Sequence, residues 1–388
     1  MKTTTLAALA AFLALTTRAQ DNSLDIKIGQ KHSLRSRVLN EERPYWVYLP
    51  ASYDDKTFAP QRYGVLYLLD GDAHFHSASG VVQFMSAGIN VNVQIPELIV
   101  VALPNVSQDG RTRDLTPTAS KLGPDGKESS FLASSGGGNN FLKFMREELF
   151  PTIESSYRTR PYRIFVGHSF GGLLVLHALL DSPELFQAYI AIDPSLWWDN
   201  QVLVRRVGSM SKDGPRVRGS VYISLAHHPD LGIVDPTKMD DPIRRFAAAL
   251  NSNFSPAVRS TLQYFKHEDH GSVPLLSLYH GLLHAFVGYK PPEEKVFKDP
   301  SFLVTHYKSV SERLGMDLLP PESYVSGLGG VLFVFFKDYD KAIECFKINV
   351  ANYPASYHAY ECLADAVSYT HLRAHETPEH LVCRLLLE

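Results

Sequence analysis

The feature that most constrains the fold is a regular alternation between short apolar runs and segments of helical periodicity. The apolar runs, rich in β-branched and aromatic residues, occupy residues 45–50, 63–71, 97–104, 162–166, 188–195, 220–226 and 261–268. Helical patterns occupy residues 141–157, 172–180 and 241–251. Strands joined by helices of this length pair in parallel, so the sequence predicts an α/β fold with a mostly parallel, doubly wound sheet covered on both faces.

The pattern changes after a proline- and charge-rich break at residues 291–300. Residues 303–366 are predicted to form a small all-helical segment, with two helices on either side of a turn at residues 352–354. The spacing of Tyr339, Ala342 and Phe346 resembles a tetratricopeptide unit, and a single unit cannot bury its apolar face alone. The segment is therefore expected to pack on another part of the protein, either as a plain helical cap or as a contact site for a protein partner.

The N-terminus has the pattern of a secretory signal. Lys2 precedes an apolar run from Leu6 to Leu15, and small residues follow up to Ala19. We expect residues 1–19 to be a signal peptide and the protein to be exported, to the periplasm or the extracellular medium; the alternative is a buried first helix. No other run approaches the roughly 20 apolar residues of a transmembrane helix, so no membrane span is predicted.

The last 22 residues do not continue any earlier pattern. Residues 367–377 and 381–388 can be reverse-translated into stretches that look like sequencing adapter and outer primer, and residues 378–380 fall where a sample index would lie. Residues 367–388 are therefore interpreted as a translated adapter, which leaves the natural C-terminus undetermined.

Charge and cysteine content exclude several function classes. The formal net charge is −3, and it becomes −4 without residues 1–19 and 367–388, which hold four basic and three acidic residues. A weakly acidic chain is not a general binder of nucleic acid or anionic membranes. Outside the adapter the cysteines are Cys345 and Cys362, which lack metal-ligand spacing; a disulfide between them is compatible with export but is not required.

A glycine-flanked serine carries the chemistry. Residues 167–171 read Gly-His-Ser-Phe-Gly, a G-x-S-x-G motif between a predicted strand that ends at Val166 and a helix that has begun by Leu173. In this setting the serine lies on a strained turn at the carboxyl edge of the sheet, and the following helix directs its N–H groups toward negative charge. Ser169 is therefore the predicted nucleophile, against the alternative of a plain tight turn.

A serine nucleophile needs a base, and usually an acid that orients it, further along the chain. After the last predicted strand, His270 precedes a Gly-Ser turn and is preferred to His267. The acid should follow the penultimate strand, where the chain offers Asp230, Asp235, Asp240 and Asp241. Asp230 lies closest to the strand end and is the predicted acid, although a dyad of serine and histidine alone stays open.

The developing oxyanion needs backbone donors. The N–H of Phe170, directly after the nucleophile, is the first candidate, and the second should lie near Gly71 and Asp72, in the loop after the run at residues 63–71. The alternative for Gly71 and Asp72 is a structural turn.

Other histidines and glycines suggest weaker sites. His74, His76, His227 and His228 form H-x-H and H-H pairs without an H-E-x-x-H or cysteine-pair framework, so they are interpreted as scattered loop histidines and no metal site is predicted. The glycines of residues 135–140 lack phosphate-binding spacing and indicate a loop before a helix.

With these motifs in place, residues 25–289 resemble the Putative esterase family of α/β-hydrolases, which contains siderophore esterases, feruloyl esterases, esterase D-like S-formylglutathione hydrolases and mycolyltransferases. The resemblance rests on "VYLPASYD", "VLYLLDGDAHF", "RTRDLTPT", "FLKFMREELFPTIESSYRTRPYRIFVGHSFGGL", "IDPSLWW" and "EDHGSVPLLSLYHGL", in that order. It implies an α/β-hydrolase domain over residues 20–295, with Ser169 as nucleophile and His270 as base. It also implies that Arg113, Trp197 and Trp198 lie near the substrate cleft; simple packing is the alternative for the tryptophans.

The implied activity is hydrolysis of a carboxylic ester through an acyl-enzyme, without a cofactor. The substrate would be a small-molecule or glycan-linked ester, and aryl, siderophore and acetyl esters all stay open. The alternatives are transfer of the acyl group to another alcohol, and a non-catalytic binding protein that uses its helical segment.

Overall fold

The computed structural model describes residues 26–374, except 87–92, 211–216, 218, 231, 233 and 255. The predicted signal peptide lies outside the described residues. The predicted adapter begins inside the last described helix, and its residues from 375 onward also lie outside them.

One eight-stranded sheet forms the centre of the molecule. Its strands are β1 (Gln30–Ser36), β2 (Glu41–Tyr48), β3 (Tyr63–Leu69), β4 (Leu98–Leu103), β5 (Thr159–His168), β6 (Ala188–Ile192), β7 (Gly219–Ala226) and β8 (Val258–Phe265). Their order is β1-β2-β4-β3-β5-β6-β7-β8. From β4 to β8 every neighbouring pair is parallel, whereas β1 and β2 are antiparallel additions at one edge. The predicted α/β-hydrolase architecture is confirmed.

Helices cover both faces of the sheet. Those of the hydrolase part are α1 (Gly71–Ser86), α2 (Gln108–Leu115), α3 (Gly138–Phe144), α4 (Phe150–Ser156), α5 (Phe170–Asp181), α6 (Trp198–Ser209), α7 (Thr237–Phe254) and α8 (Val273–Ala285). Buried strands supply both cores: along β3, Tyr67 and Leu69 pack on one face, and Leu66 and Leu68 pack on the other. This continuous apolar run is what a strand buried on both faces requires.

Two elements differ from the predicted boundaries. The strand predicted over residues 188–195 ends at Ile192, because Asp193 turns the chain with a φ of +42°. The helix predicted over residues 141–157 is divided by a π-helical segment at Met145–Leu149. Strand β1 was not predicted; its exposed and half-buried polar residues weaken the apolar pattern.

The chain after the hydrolase part is helical, as predicted. It contains α9 (Glu293–Lys298), α10 (Phe302–Leu314), α11 (Glu322–Val331), a π-helical segment (Leu332–Phe336), α12 (Tyr339–Asn352) and α13 (Tyr357–Ala374). These helices extend the apolar core on the face of the sheet that α1 and α8 cover. They lie toward the amino ends of the strands, where Arg160 at the start of β5 donates to the carbonyl of Asp317.

Within the described part of the chain, no helix has the length and apolar content that crossing a bilayer requires.

Candidate active site

Three residues with left-handed backbone conformations mark the site. Asp70 follows β3 with a φ of +52°, Ser169 follows β5 with a φ of +59°, and Asp193 follows β6 with a φ of +42°. These strands are neighbours in the sheet and run in parallel, so the three residues lie together at its carboxyl edge. Positive φ is costly for residues with side chains, and such strain is concentrated at functional sites.

Ser169 lies on the turn between β5 and α5, as the motif predicts. Its φ of +59° and ψ of −118° turn the chain sharply into the helix, and its backbone N–H donates to the carbonyl of Ile192 at 3.0 Å. A Cβ on Gly167 would overlap the backbone of Gly171, so the turn requires glycine there. The hydroxyl of Ser169 lies 3.3 Å from that of Ser195, and no direct hydrogen bond joins it to His270 in the described structure.

His270 lies on the loop between β8 and α8 and pairs with a buried carboxylate. Its Nδ1 donates to Oδ2 of Asp193 at 2.6 Å, and the Asp193 side chain is 1% exposed. The ring of His270 contacts that of His168, with 4.4 Å between the ring centroids. Because His168 directly precedes Ser169, this contact brings the imidazole to the serine turn.

The carboxylate beside His270 is therefore Asp193 and not the predicted Asp230. The structure places Asp230 on the exposed loop after β7, where its Oδ1 accepts from the backbone N–H of Gly232. Asp193 reaches His270 because its turn directs the side chain across the end of β7, where Oδ1 accepts from the N–H of Ala226 at 2.9 Å. Of the other acids considered, Asp240 contacts His228, whereas Asp235 caps the start of α7.

A second histidine shares the Asp193 carboxylate. His228 Nε2 donates to the same Oδ2 at 3.0 Å, and its Nδ1 donates to Oδ1 of Asp240 at 2.6 Å. Burial alone would lower the pKa of His228, but hydrogen bonds to the two carboxylates and their charges outweigh it and raise the pKa to about 9. Burial likewise opposes ionisation of Asp193, yet the hydrogen bonds from His228 and His270 hold the pKa of its carboxyl well below the usual value. His228 is thus part of the cluster and not the scattered loop histidine that was predicted.

The remaining histidines divide between a helix and the exposed surface. His74 and His76 lie on α1 instead of the predicted loop, and the His74 ring lies 5.9 Å from that of His168. Burial lowers the pKa of His74 and lowers that of His168 to about 3, so both are neutral at physiological pH. His227 is exposed, with its Nδ1 3.1 Å from the hydroxyl of Tyr264.

The predicted oxyanion donors begin two helices. Phe170 is the first residue of α5, and Gly71 and Asp72 are the first two of α1, where backbone N–H groups have no intrahelical partner. The two helix starts are close, because a Cβ on Gly171 would lie 3.5 Å from Oδ2 of Asp70. The Asp72 side chain is engaged separately, since its Oδ1 accepts from the N–H of Asn105 at 3.1 Å.

The arginine beside the serine turn is Arg111 and not the predicted Arg113. Arg111 donates to both carboxylate oxygens of Asp70, at 2.7 and 2.9 Å, and its guanidinium lies 5.5 Å from the ring centroid of Phe170. It lines a cavity of about 540 Å³ together with His74 and His168. Arg113, two positions along the same helix, instead pairs with Glu41 and Asp114 at 2.6 and 2.7 Å.

The two tryptophans have different environments. Trp198 is fully buried, and its indole N–H donates to Thr118, so its role is packing. Trp197 is half-buried and packs on Phe170 at 5.9 Å between ring centroids. Only Trp197 is therefore placed to contact a ligand at the serine turn.

Asp193, His228 and His270 also have the composition of a cation site. One ligand atom from each lies within 4.8 Å of the others. All three atoms are engaged in hydrogen bonds with one another, which accounts for their arrangement without an ion.

Sequence reasoning missed Asp193, His228 and Arg111. The available signal for Asp193 was its position directly after the apolar run "AYIAI" and before Pro194, at the carboxyl end of a parallel strand. For His228 and Arg111 the sequence carries no comparable signal, because their partners lie 35 and 41 residues away in the chain.

A strained serine turn, a histidine paired with a buried aspartate and an α/β-hydrolase sheet define the serine hydrolase class. The family model described as "Putative esterase" matches residues 36–235, about half of the chain, and the protein belongs to this family.

Similar proteins agree with this assignment. The ferri-bacillibactin esterase BesA of Bacillus subtilis is 32% identical over 250 residues, which cover 60% of this chain and 82% of BesA. The siderophore enterobactin esterase of Emericella nidulans is 29% identical over 190 residues, covering 46% and 59% of the two chains. The crystal structure of an IroE-like serine hydrolase from Shewanella oneidensis superposes with a TM-score of 0.70 at 30% identity, covering 83% and 98%. The protein is a carboxylic ester hydrolase of the serine hydrolase type.

Proposed function

We propose that the protein hydrolyses esters through an acyl-enzyme on Ser169, with His270 as general base and Asp193 as the acid that orients it. The observation that carries this proposal is the 2.6 Å pair between His270 and the buried Asp193, beside the strained turn of Ser169. The pair fixes the proton of His270 on Nδ1 and leaves Nε2 as the acceptor for the serine proton.

The reaction follows from this arrangement. Ser169 Oγ attacks the ester carbonyl carbon while its proton passes to His270 Nε2, and the oxyanion is stabilised by N–H groups at the starts of α5 and α1. The ester C–O bond then breaks, and the departing alcohol takes the proton from His270. Water next attacks the acyl-enzyme with His270 again as base, which releases the acid and restores the serine hydroxyl.

The hydrogen bond between Ser169 and His270 is expected to form when substrate binds. In the structure the Ser169 hydroxyl is turned toward Ser195, at 3.3 Å. A rotation about the Cα–Cβ bond changes this partner, and catalytic hydrogen bonds commonly tighten only in the complex with substrate.

Labelling with a fluorophosphonate probe, together with turnover of p-nitrophenyl acetate, tests the nucleophile. We expect Ser169→Ala to abolish labelling and to lower kcat by at least about a thousand-fold. Ser155→Ala, which changes an exposed serine on α4, is the matched control and should retain both labelling and turnover. Absence of labelling in the folded wild-type protein would contradict the proposal and favour a binding protein.

Ester-linked siderophores are the proposed substrate class. The support is the similarity to two relatives named as esterases of ferri-bacillibactin and enterobactin. We expect kcat/KM for enterobactin, measured by chromatography of the products, to be higher than kcat/KM for p-nitrophenyl acetate. A higher kcat/KM for a feruloyl or acetyl sugar ester would contradict this assignment.

Export is proposed on the signal-like pattern of residues 1–19. N-terminal sequencing of the protein recovered from the periplasm or the medium should begin near Gln20. A role of the helical segment in binding a protein partner also stays a prediction.

A further inference from the structure

His228 occupies an unusual position behind the proposed catalytic pair. It lies two residues after β7 and makes hydrogen bonds on both sides of its ring, to Asp193 at 3.0 Å and to Asp240 at 2.6 Å. A neutral imidazole carries only one N–H group, whereas both carboxylates are acceptors. The two contacts are therefore satisfied together only when the ring is protonated on both nitrogens.

The hydrogen bond between His228 and Asp193 joins two side chains with little exposure to solvent. The His228 side chain is 12% exposed, and the side chain of Asp193 is 1% exposed. A charge-assisted hydrogen bond is stronger in such surroundings than in water, and without it the negative charge of the buried carboxylate would stay uncompensated.

The acceptor atom connects His228 to His270. Both histidines donate to the same oxygen, Oδ2 of Asp193, and their ring centroids lie 6.3 Å apart. A positive charge on His228 therefore reduces the negative potential that Asp193 presents to His270.

We propose that His228 is a positioning residue, which as an imidazolium fixes the Asp193 carboxylate against His270 and partly neutralises it. The inference rests on the proposed roles of Asp193 and His270 and adds a member that touches neither substrate nor nucleophile. Asp240 then has a supporting role, because it orients the His228 ring through Nδ1.

The charged and titratable groups that face the cluster come from several elements. They are Asp193 after β6, Asp240 and Arg244 on α7, Asp269 and His270 before α8, and His168 at the end of β5. Arg244 lies 3.8 Å from Oδ2 of Asp240, whereas His228 contacts Oδ1, and His168 is neutral. Among the residues that the structure describes, His228 is therefore the cation in direct contact with the Asp193 carboxylate.

The test compares His228→Ala and His228→Gln in the full-length protein. The alanine variant removes both the donor and the charge, and we expect kcat for p-nitrophenyl acetate to fall about ten- to a hundred-fold with little change in KM. The acidic limb of the pH profile of kcat/KM should move to higher pH by about one pH unit, because the variant lacks the positive charge of the His228 imidazolium, which opposes protonation of His270. The glutamine variant restores a neutral donor near the position of Nε2, so it should recover most of kcat and keep the displaced limb.

His227→Gln is the matched control. It changes the neighbouring histidine, whose ring contacts Tyr264 and not Asp193, and should behave as wild type. If His228→Ala fails to fold, as judged by circular dichroism, His228→Gln alone provides the test, because it keeps most of the side-chain volume and should still displace the acidic limb to higher pH.

Three results would overturn the proposal. The first is that His228→Ala leaves both kcat and the acidic limb of the pH profile unchanged. The second is that His228→Ala raises KM and leaves kcat unchanged, which would make His228 a substrate contact. The third is loss of wild-type activity in EDTA, which would make the cluster a metal site. Failure of the proposed function is distinguishable, because Ser169→Ala would then keep its labelling or turnover whatever happens at His228.

Discussion

At the scale of single residues, a comparison of Asp193 with Asp230 tests which aspartate orients His270. Asp193→Asn keeps the shape of the side chain but removes the charge and allows the wrong tautomer of His270. We expect kcat for p-nitrophenyl acetate to fall about a thousand- to ten-thousand-fold. Asp230→Asn changes an exposed side chain that contacts only the N–H of Gly232, and kcat should stay within about twofold. Equal losses in the two variants would contradict the assignment of Asp193.

His228 also makes folding stability depend on pH. Its pKa is raised to about 9 in the folded protein, and an unfolded chain has an ordinary value near 6.5. The folded state therefore binds this proton more tightly, so the stabilisation is complete below about pH 6.5 and disappears as the pH rises through about 9. We expect the free energy of unfolding, measured by urea denaturation at pH 6, to be higher for wild type than for His228→Gln. At pH 10 this difference should be smaller by about 1–3 kcal/mol. A difference that does not change with pH would contradict the protonated state.

At the scale of elements, the serine turn depends on one glycine. Gly167→Ala would place a Cβ on the backbone of Gly171, which cannot move without displacing the start of α5. We expect destabilisation by about 3 kcal/mol and loss of esterase activity, measured by thermal denaturation and turnover. Gly80→Ala on α1 adds a Cβ with no atom within 4 Å and should instead stabilise by up to about 1 kcal/mol. A Gly167→Ala protein as active as wild type would show that the turn tolerates a side chain.

The elements also show what the sequence could and could not predict. The β5 turn and α5 were predictable, because strand, motif and helix are contiguous and each has a local signal. The partner of His270 was harder to predict, because 77 residues separate it from Asp193 and the Asp-Pro step after "AYIAI" is the single local signal that the strand ends at Ile192. The turn that directs Asp193 toward His270 is fixed by β7, where the carbonyl of Ser224 accepts a hydrogen bond from the Asp193 N–H at 3.1 Å. That contact exists only in the assembled sheet.

At the scale of the whole molecule, the helical segment is joined to the hydrolase part by a buried carboxylate. Glu322 on α11 is 5% exposed and accepts hydrogen bonds from the N–H of Ala59 at 2.9 Å and from the hydroxyl of Ser356. Glu322→Ala leaves both donors unpaired, and we expect a loss of about 2–3 kcal/mol in urea denaturation with unchanged kcat/KM. Glu312→Ala on α10 removes an exposed carboxylate and should cost less than about 0.5 kcal/mol. A fall in kcat/KM for Glu322→Ala would show that the segment influences the catalytic edge.

The position of the helical segment has a consequence for how such a protein can diversify. The segment lies toward the amino ends of the strands, whereas Ser169, Asp193 and His270 lie at the carboxyl ends. Changes that accumulate in its outer helices therefore leave the chemistry intact, and loops at the catalytic edge can change their substrate without disturbing the segment. The helical segment and the catalytic edge can therefore change in sequence independently of one another.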